Sequence, residues 1–225
     1  MQTSINTTGK DWSDTGTAHP GLDWRYLITG GAALCTGLIF LVAVLDLALR
    51  HIQPGIRAGW LSFMQNNWLA VIFKLLAGDD AVRPDLLYRI NLLDIIILAL
   101  VGITFIGLFS ALREISIIGS LIAVALPFLG ILLFIATKTA GRCGVMGAEL
   151  VISIVMLKSQ RFGKGIAWAG IISSVLLLAG DIGASTAPSV ILAVLMGIGY
   201  ILLMLWLFLV AGKLFSLGSG SRSTK

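Results

Sequence analysis

The sequence predicts an all-α, polytopic transmembrane bundle of six spans with one further amphipathic helix at the membrane interface. Two observations carry this. First, 57% of the residues are hydrophobic and only 12% are charged, with a mean hydropathy of +0.98. A water-soluble domain carries about 25% charged residues, and a chain this poor in charge cannot cover a core with a polar surface. Lipid as solvent removes that need. Second, the apolar residues fall in long runs separated by short basic or glycine-containing turns, the layout of successive spans.

Residues 1–25 form a polar tail rich in Ser, Thr, Gly and Asp. The tail lacks the basic-then-apolar order of a cleavable signal peptide, so the first apolar run reads as a retained anchor. Asn6-Thr7-Thr8 fits a glycosylation acceptor, a short and common pattern. The first span covers about Tyr26 to Leu49 and ends at Arg50, His51 and Pro54. The second covers about Asn91 to Leu112, between Arg89 and Arg113. The third runs from about Ser116 to Thr137, and Pro127 in its middle predicts a kink. The fourth, about Cys143 to Leu157, holds ~15 residues against the ~20 that a span usually needs. Either Gly141 and its neighbours extend it or the bilayer thins there. The fifth covers about Gly165 to Gly183 and the sixth about Ser189 to Ala211. Residues 26–213 thus form the transmembrane domain, and 214–225 a polar C-terminal tail.

Residues 60–77 differ from the spans. Trp60, Leu61, Met64, Trp68, Val71, Ile72 and Leu75 recur near the helical period, with Ser62, Gln65, Asn66, Asn67 and Lys74 between them. This pattern predicts an amphipathic helix lying at the interface or as a lid over the bundle, with spanning the weaker option because Gln65-Asn66-Asn67 would then sit within the bilayer.

With six spans, nine of the 16 Lys and Arg residues fall on the side of the termini. The short 158–164 loop carries three of them, and the 184–188 loop carries none. The excess predicts cytoplasmic termini. The net charge of +5 belongs to these loops beside anionic lipid, and nucleic-acid binding is not expected.

Four acids punctuate the apolar runs: Asp46, Asp94, Glu149 and Asp181. A carboxylate at membrane depth is costly and needs a reason. The predicted topology places all four toward the outer side, with Arg50, Arg89, Lys138 and Arg142 near the same level. The functional reading is an ion, proton or headgroup site in an outward-facing polar cavity. The plain reading is local neutralisation. Asp46 pairs with Arg50 at i, i+4, Asp94 caps its helix or pairs with Arg89, and Asp181 reaches the interface beside Gly180 and Gly183. Glu149 stands apart, with no basic residue within four positions. It must find a partner on another helix, meet water or carry a proton.

Gly141, Gly144 and Gly147, three apart, predict a close helix approach, as do Gly197 and Gly199. Trp60, Trp68, Trp168 and Trp206 read as interfacial anchors or lid contacts. Cys35 and Cys143 read as small packing residues, not a disulfide framework.

Several chemistries lack their parts. With only His19 and His51, one chain cannot build a three-His zinc site, and a bis-His haem is disfavoured because His19 lies in the tail. HExxH, GxSxG and GxxxxGK[ST] are all absent. Acids alone can hold Mg²⁺ or Ca²⁺, but no spacing here demands it. Intramembrane aspartyl chemistry needs paired aspartates, and the pair on offer, Asp94 and Asp181, lies in no recognisable motif. No cofactor is expected, and the reading leans away from an enzyme.

Leu92-Leu93-Asp94 opens one span, and Lys158-Ser159-Gln160-Arg161-Phe162-Gly163-Lys164 forms a basic turn before another that reaches Gly180-Asp181. The last span closes with Leu205-Trp206-Leu207 and Gly212-Lys213-Leu214. In this order of parts, residues 26–214 resemble a bacterial six-span family known only as a domain of unknown function. The resemblance implies a six-helix bundle in a bacterial plasma membrane, and no activity.

Three functional expectations follow. The first is a non-enzymatic protein that binds a lipid or amphiphile, or a helical partner, through an outer-leaflet cavity. The second is a small ion- or proton-coupled transporter using Glu149 and Asp94. The third is an accessory subunit of a larger membrane complex. Membrane lipids are the expected partners, and other membrane subunits are possible ones.

Overall fold

The computed structural model describes residues 23–52, 91–136, 138–186 and 189–220; the side chains of 46–52, 131, 134–140 and 184–186 fall outside that description. Six helices account for nearly all of it, with no strand among the described residues: α1 Trp24–Ile52, α2 Leu92–Leu112, α3 Ile117–Ala136, α4 Lys138–Leu157, α5 Lys164–Thr186 and α6 Val190–Gly218. The expected interfacial helix at 60–77 lies outside the described residues.

Four helices carry segments long and apolar enough to cross a membrane: Trp24–Leu45, Leu92–Leu112, Lys164–Gly183 and Val190–Gly218. The fifth apolar segment, Ile117–Gly130 in α3, is shorter. α4 is longer than its apolar run: the helix continues through Gly141 back to Lys138 and reaches 20 residues. α6 runs past Lys213, where a polar tail was expected, as far as Gly218. Packing extends it, since Leu214 is buried and a Cβ on Gly218 would press on Leu27 of α1 and the Asp23 carbonyl just before it.

Each helix packs on the next in sequence, and α6 returns to α1, so the six close into a ring. Short connections force neighbours antiparallel, and the contacts confirm it. Gly180 meets Met196, Gly199 meets Leu177, and Gly170 meets Trp206, so α5 rises as α6 falls. Gly119 meets Val155 and Gly130 meets Gly144 in the same sense between α3 and α4.

The bundle wears its apolar side outward. Ile118, Leu132, Val190, Ile191 and Ile201 are all more than half exposed, while Thr36, Thr104, Ser153, Ser173, Ser174 and Glu149 are buried. A water-soluble monomer does not expose apolar surface on this scale. Buried threonines satisfy themselves locally: Thr36 and Thr104 each donate to the carbonyl four residues back, Ala32 and Leu100, at 2.8 Å.

The expected glycine contact is present between α3 and α4. A Cβ on Gly144 would lie 2.6 Å from Gly130 Cα, so two bare backbones touch there. Gly147 contributes little, with only Leu126 at 4.0 Å, and Gly197 has open space around it.

Candidate functional site

A cavity of about 270 Å³ lies inside the ring, walled by α1, α2, α4 and α6. Its lining runs from the first turns of α2 and α4, at Asp94 and Arg142, down to Glu149, Phe105 and Trp206 near mid-bundle. Most of the wall is apolar: Ile97, Leu98, Val101, Val145, Met146, Leu203 and Leu207. Four rings also face it, Phe40 of α1, Phe105 of α2, and Tyr200 and Trp206 of α6. Phe40 and Tyr200 form a tilted pair with centroids 6.3 Å apart.

Below Trp206 the bundle is solid. Leu112, Ile152, Met156, Val210 and Leu214 have essentially no exposure, and Phe162 of the 158–163 turn is buried with them. Arg161 clamps that turn to the end of α2, reaching the Ala111 carbonyl at 3.3 Å and Glu114 at 2.6 Å. Asp23 N donates to the Gly218 carbonyl at 3.0 Å, joining the start of α1 to the end of α6. The cavity is therefore closed toward the chain termini. Its lining approaches the other end, where α1 leaves and α2 begins.

Glu149 is 2% exposed and finds its partner on another helix. Ser173 of α5 donates its hydroxyl to Glu149 Oε1 at 2.5 Å, and also reaches the Gly170 carbonyl at 3.0 Å. Ser174 donates to that same carbonyl at 2.7 Å. Deeper, Ser153 Oγ and Trp206 Nε1 are buried without a hydrogen-bond partner. Both crowd the bare Cα of Gly170.

Asp181 is 4% exposed, and Arg142 of α4 holds it. Arg142 Nε donates to Oδ2 at 3.2 Å and Nη2 approaches Oδ1 at 3.0 Å, a two-point grip between α4 and α5. Asp94 acts as a cap. Its carboxylate accepts from Asn91 N at 3.1 Å while its own N–H donates to Asn91 Oδ1 at 2.7 Å, a reciprocal capping box opening α2.

Trp206 corrects an expectation. It is no interfacial anchor but a core residue, 1% exposed, because glycine at 170 leaves room for its indole. Trp168 does face outward, as does Cys35. Among the proposed site residues, the fold brings Glu149 and Asp94 to one cavity and sets Asp181 behind its Arg142 wall. The side chains of Asp46 and Arg50, and all of Arg89, lie outside the described residues. No group of three or more His, Cys, Asp or Glu that could hold a metal ion occurs among the described residues.

Sequence reasoning missed Ser173 and Ser174. Their signal was a pair of hydroxyls midway along an apolar run, at the depth of Glu149 on the antiparallel neighbour. Compared with known proteins, the chain matches no family model, no curated protein and no solved structure.

Proposed function

We propose that this is a six-span integral protein of a bacterial plasma membrane that binds a small amphiphile in the cavity of its helix ring. The carrying observation is a largely apolar, ring-walled space with a few polar groups at defined places: Asp94 and Arg142 near one end, Glu149 at the floor. Ligand sites are concave, mostly apolar and fixed by a few polar groups, with volumes of about 300–1,000 Å³. At about 270 Å³ this one is small, sized for a single chain or ring system and not for a two-chain phospholipid.

In this reading all six helices cross the bilayer, α3 and α4 included, and the termini are cytoplasmic. The cavity then faces the outer leaflet. The likeness to the six-span family belongs to the same proposal. The state described is closed toward the termini, and transport would need a second state that opens Glu149 to that side.

Native mass spectrometry of the protein, extracted gently from its own membrane, tests the reading. A single small amphiphile retained at one per chain is the expected result. A bare chain, or one carrying only bulk phospholipid in random number, overturns it.

A further inference from the structure

We propose that the ligand is a cation, a small lipophilic amine in its ammonium form, seated with its charge on Glu149 and its apolar body against the rings. The inference rests on the amphiphile-binding reading and adds the charge of the ligand.

Among the described lining residues, the charged groups are Asp94 of α2, engaged in its helix cap, and Glu149 and Arg142 of α4. Arg142 is the sole cation in that set, and two of its nitrogens are committed to Asp181. An anionic ligand would have to compete with that grip and then meet the buried Glu149. A cation meets the opposite situation. A carboxylate has about four acceptor positions, and Ser173 fills one of those on Glu149. An ammonium supplies three donors and the opposite charge to what is left.

The walls point the same way. Phe40, Tyr200, Phe105 and Trp206 put four aromatic rings around a space of about 270 Å³. Ring faces attract ammonium groups within about 6 Å of their centroids, and more so away from water. A cavity built only for a neutral tail has no use for a buried carboxyl at its floor, where such a group is costly.

The test uses the full chain in detergent with three probes of one shape: 2-phenylethylamine, 2-phenylethanol and phenylacetate, at pH 7. Binding is read by equilibrium displacement of radiolabelled 2-phenylethylamine. The amine is expected to bind at least tenfold more tightly than the alcohol, and phenylacetate not at all. In Glu149→Gln the amine should lose that advantage and fall to the level of the alcohol. Thermal unfolding checks that this variant is folded, and the wild-type probe series decides the question if it is not. Equal binding of amine and alcohol overturns the cation and leaves the cavity reading standing. Preference for phenylacetate overturns it in favour of Arg142. No binding of any probe tells against the cation and the cavity reading together.

Discussion

Ser173 Oγ donates to Glu149 Oε1 at 2.5 Å, joining α5 to α4 at the depth where the cavity ends. This bond gives a carboxyl with no basic residue within four positions in sequence a donor from another helix. It also holds that carboxyl on the cavity floor and away from lipid.

Removing the hydroxyl therefore has a sign. Ser173→Ala should destabilise the protein by about 1–3 kcal/mol, the cost of stripping a partner from a buried polar group. Ser153→Ala should do the opposite or nothing, because Ser153 Oγ has no partner to lose. Thermal denaturation of the two variants in one detergent checks the pair. Equal losses would show that the Glu149 bond contributes nothing specific.

The Arg142–Asp181 grip predicts an asymmetry between its partners. Arg142→Ala leaves a buried aspartate unpaired, whereas Asp181→Ala leaves an arginine that is 44% exposed and reaches water. Breaking a fully buried pair costs about 3–5 kcal/mol. Partial exposure of Arg142 lowers this to about 2 kcal/mol for Arg142→Ala. Asp181→Ala should cost less. Chemical denaturation of both variants measures the difference.

Helix contacts can be tested with alanine at glycines. In Gly144→Ala the new Cβ meets Gly130 Cα at 2.6 Å, and backbone cannot swing aside. In Gly170→Ala it meets the buried indole of Trp206 and Ser153 Oγ. Each should cost about 1–3 kcal/mol by overpacking, more than the ~1 kcal/mol that alanine returns in helix propensity. Gly31→Ala and Gly212→Ala face open space and should be neutral or stabilising by up to ~1 kcal/mol. Melting temperatures of the four variants should divide along this line.

Much of this architecture was legible in the chain. Apolar runs and their basic ends placed four of the six helices within three residues at each end, because in a chain that expects lipid each turn needs polar groups to stop the run; α4 begins five residues earlier and α6 ends seven later than expected. Gly144 was legible as a contact for the same reason, since only a bare Cα lets two backbones touch. What was hidden is pairing across helices. Arg142 and Asp181 are 39 residues apart, and only the antiparallel register of α4 and α5 brings them level. Trp206 read as an anchor because tryptophan near a span end usually is one. Its burial depends on Gly170, a residue on another helix whose meaning appears only after folding.

The central claim is a ring with a cavity entered from one end. It is tested most directly by cysteine accessibility in oriented vesicles, in a chain whose Cys35 and Cys143 are replaced by alanine. Leu203→Cys lines the cavity, and Val210→Cys lies in the packed layer beneath it. A small membrane-impermeant thiol reagent should modify Leu203→Cys from the face opposite the termini alone, and Val210→Cys from neither face. Modification of Val210→Cys from the side of the termini, or none of Leu203→Cys from either face, would contradict the account.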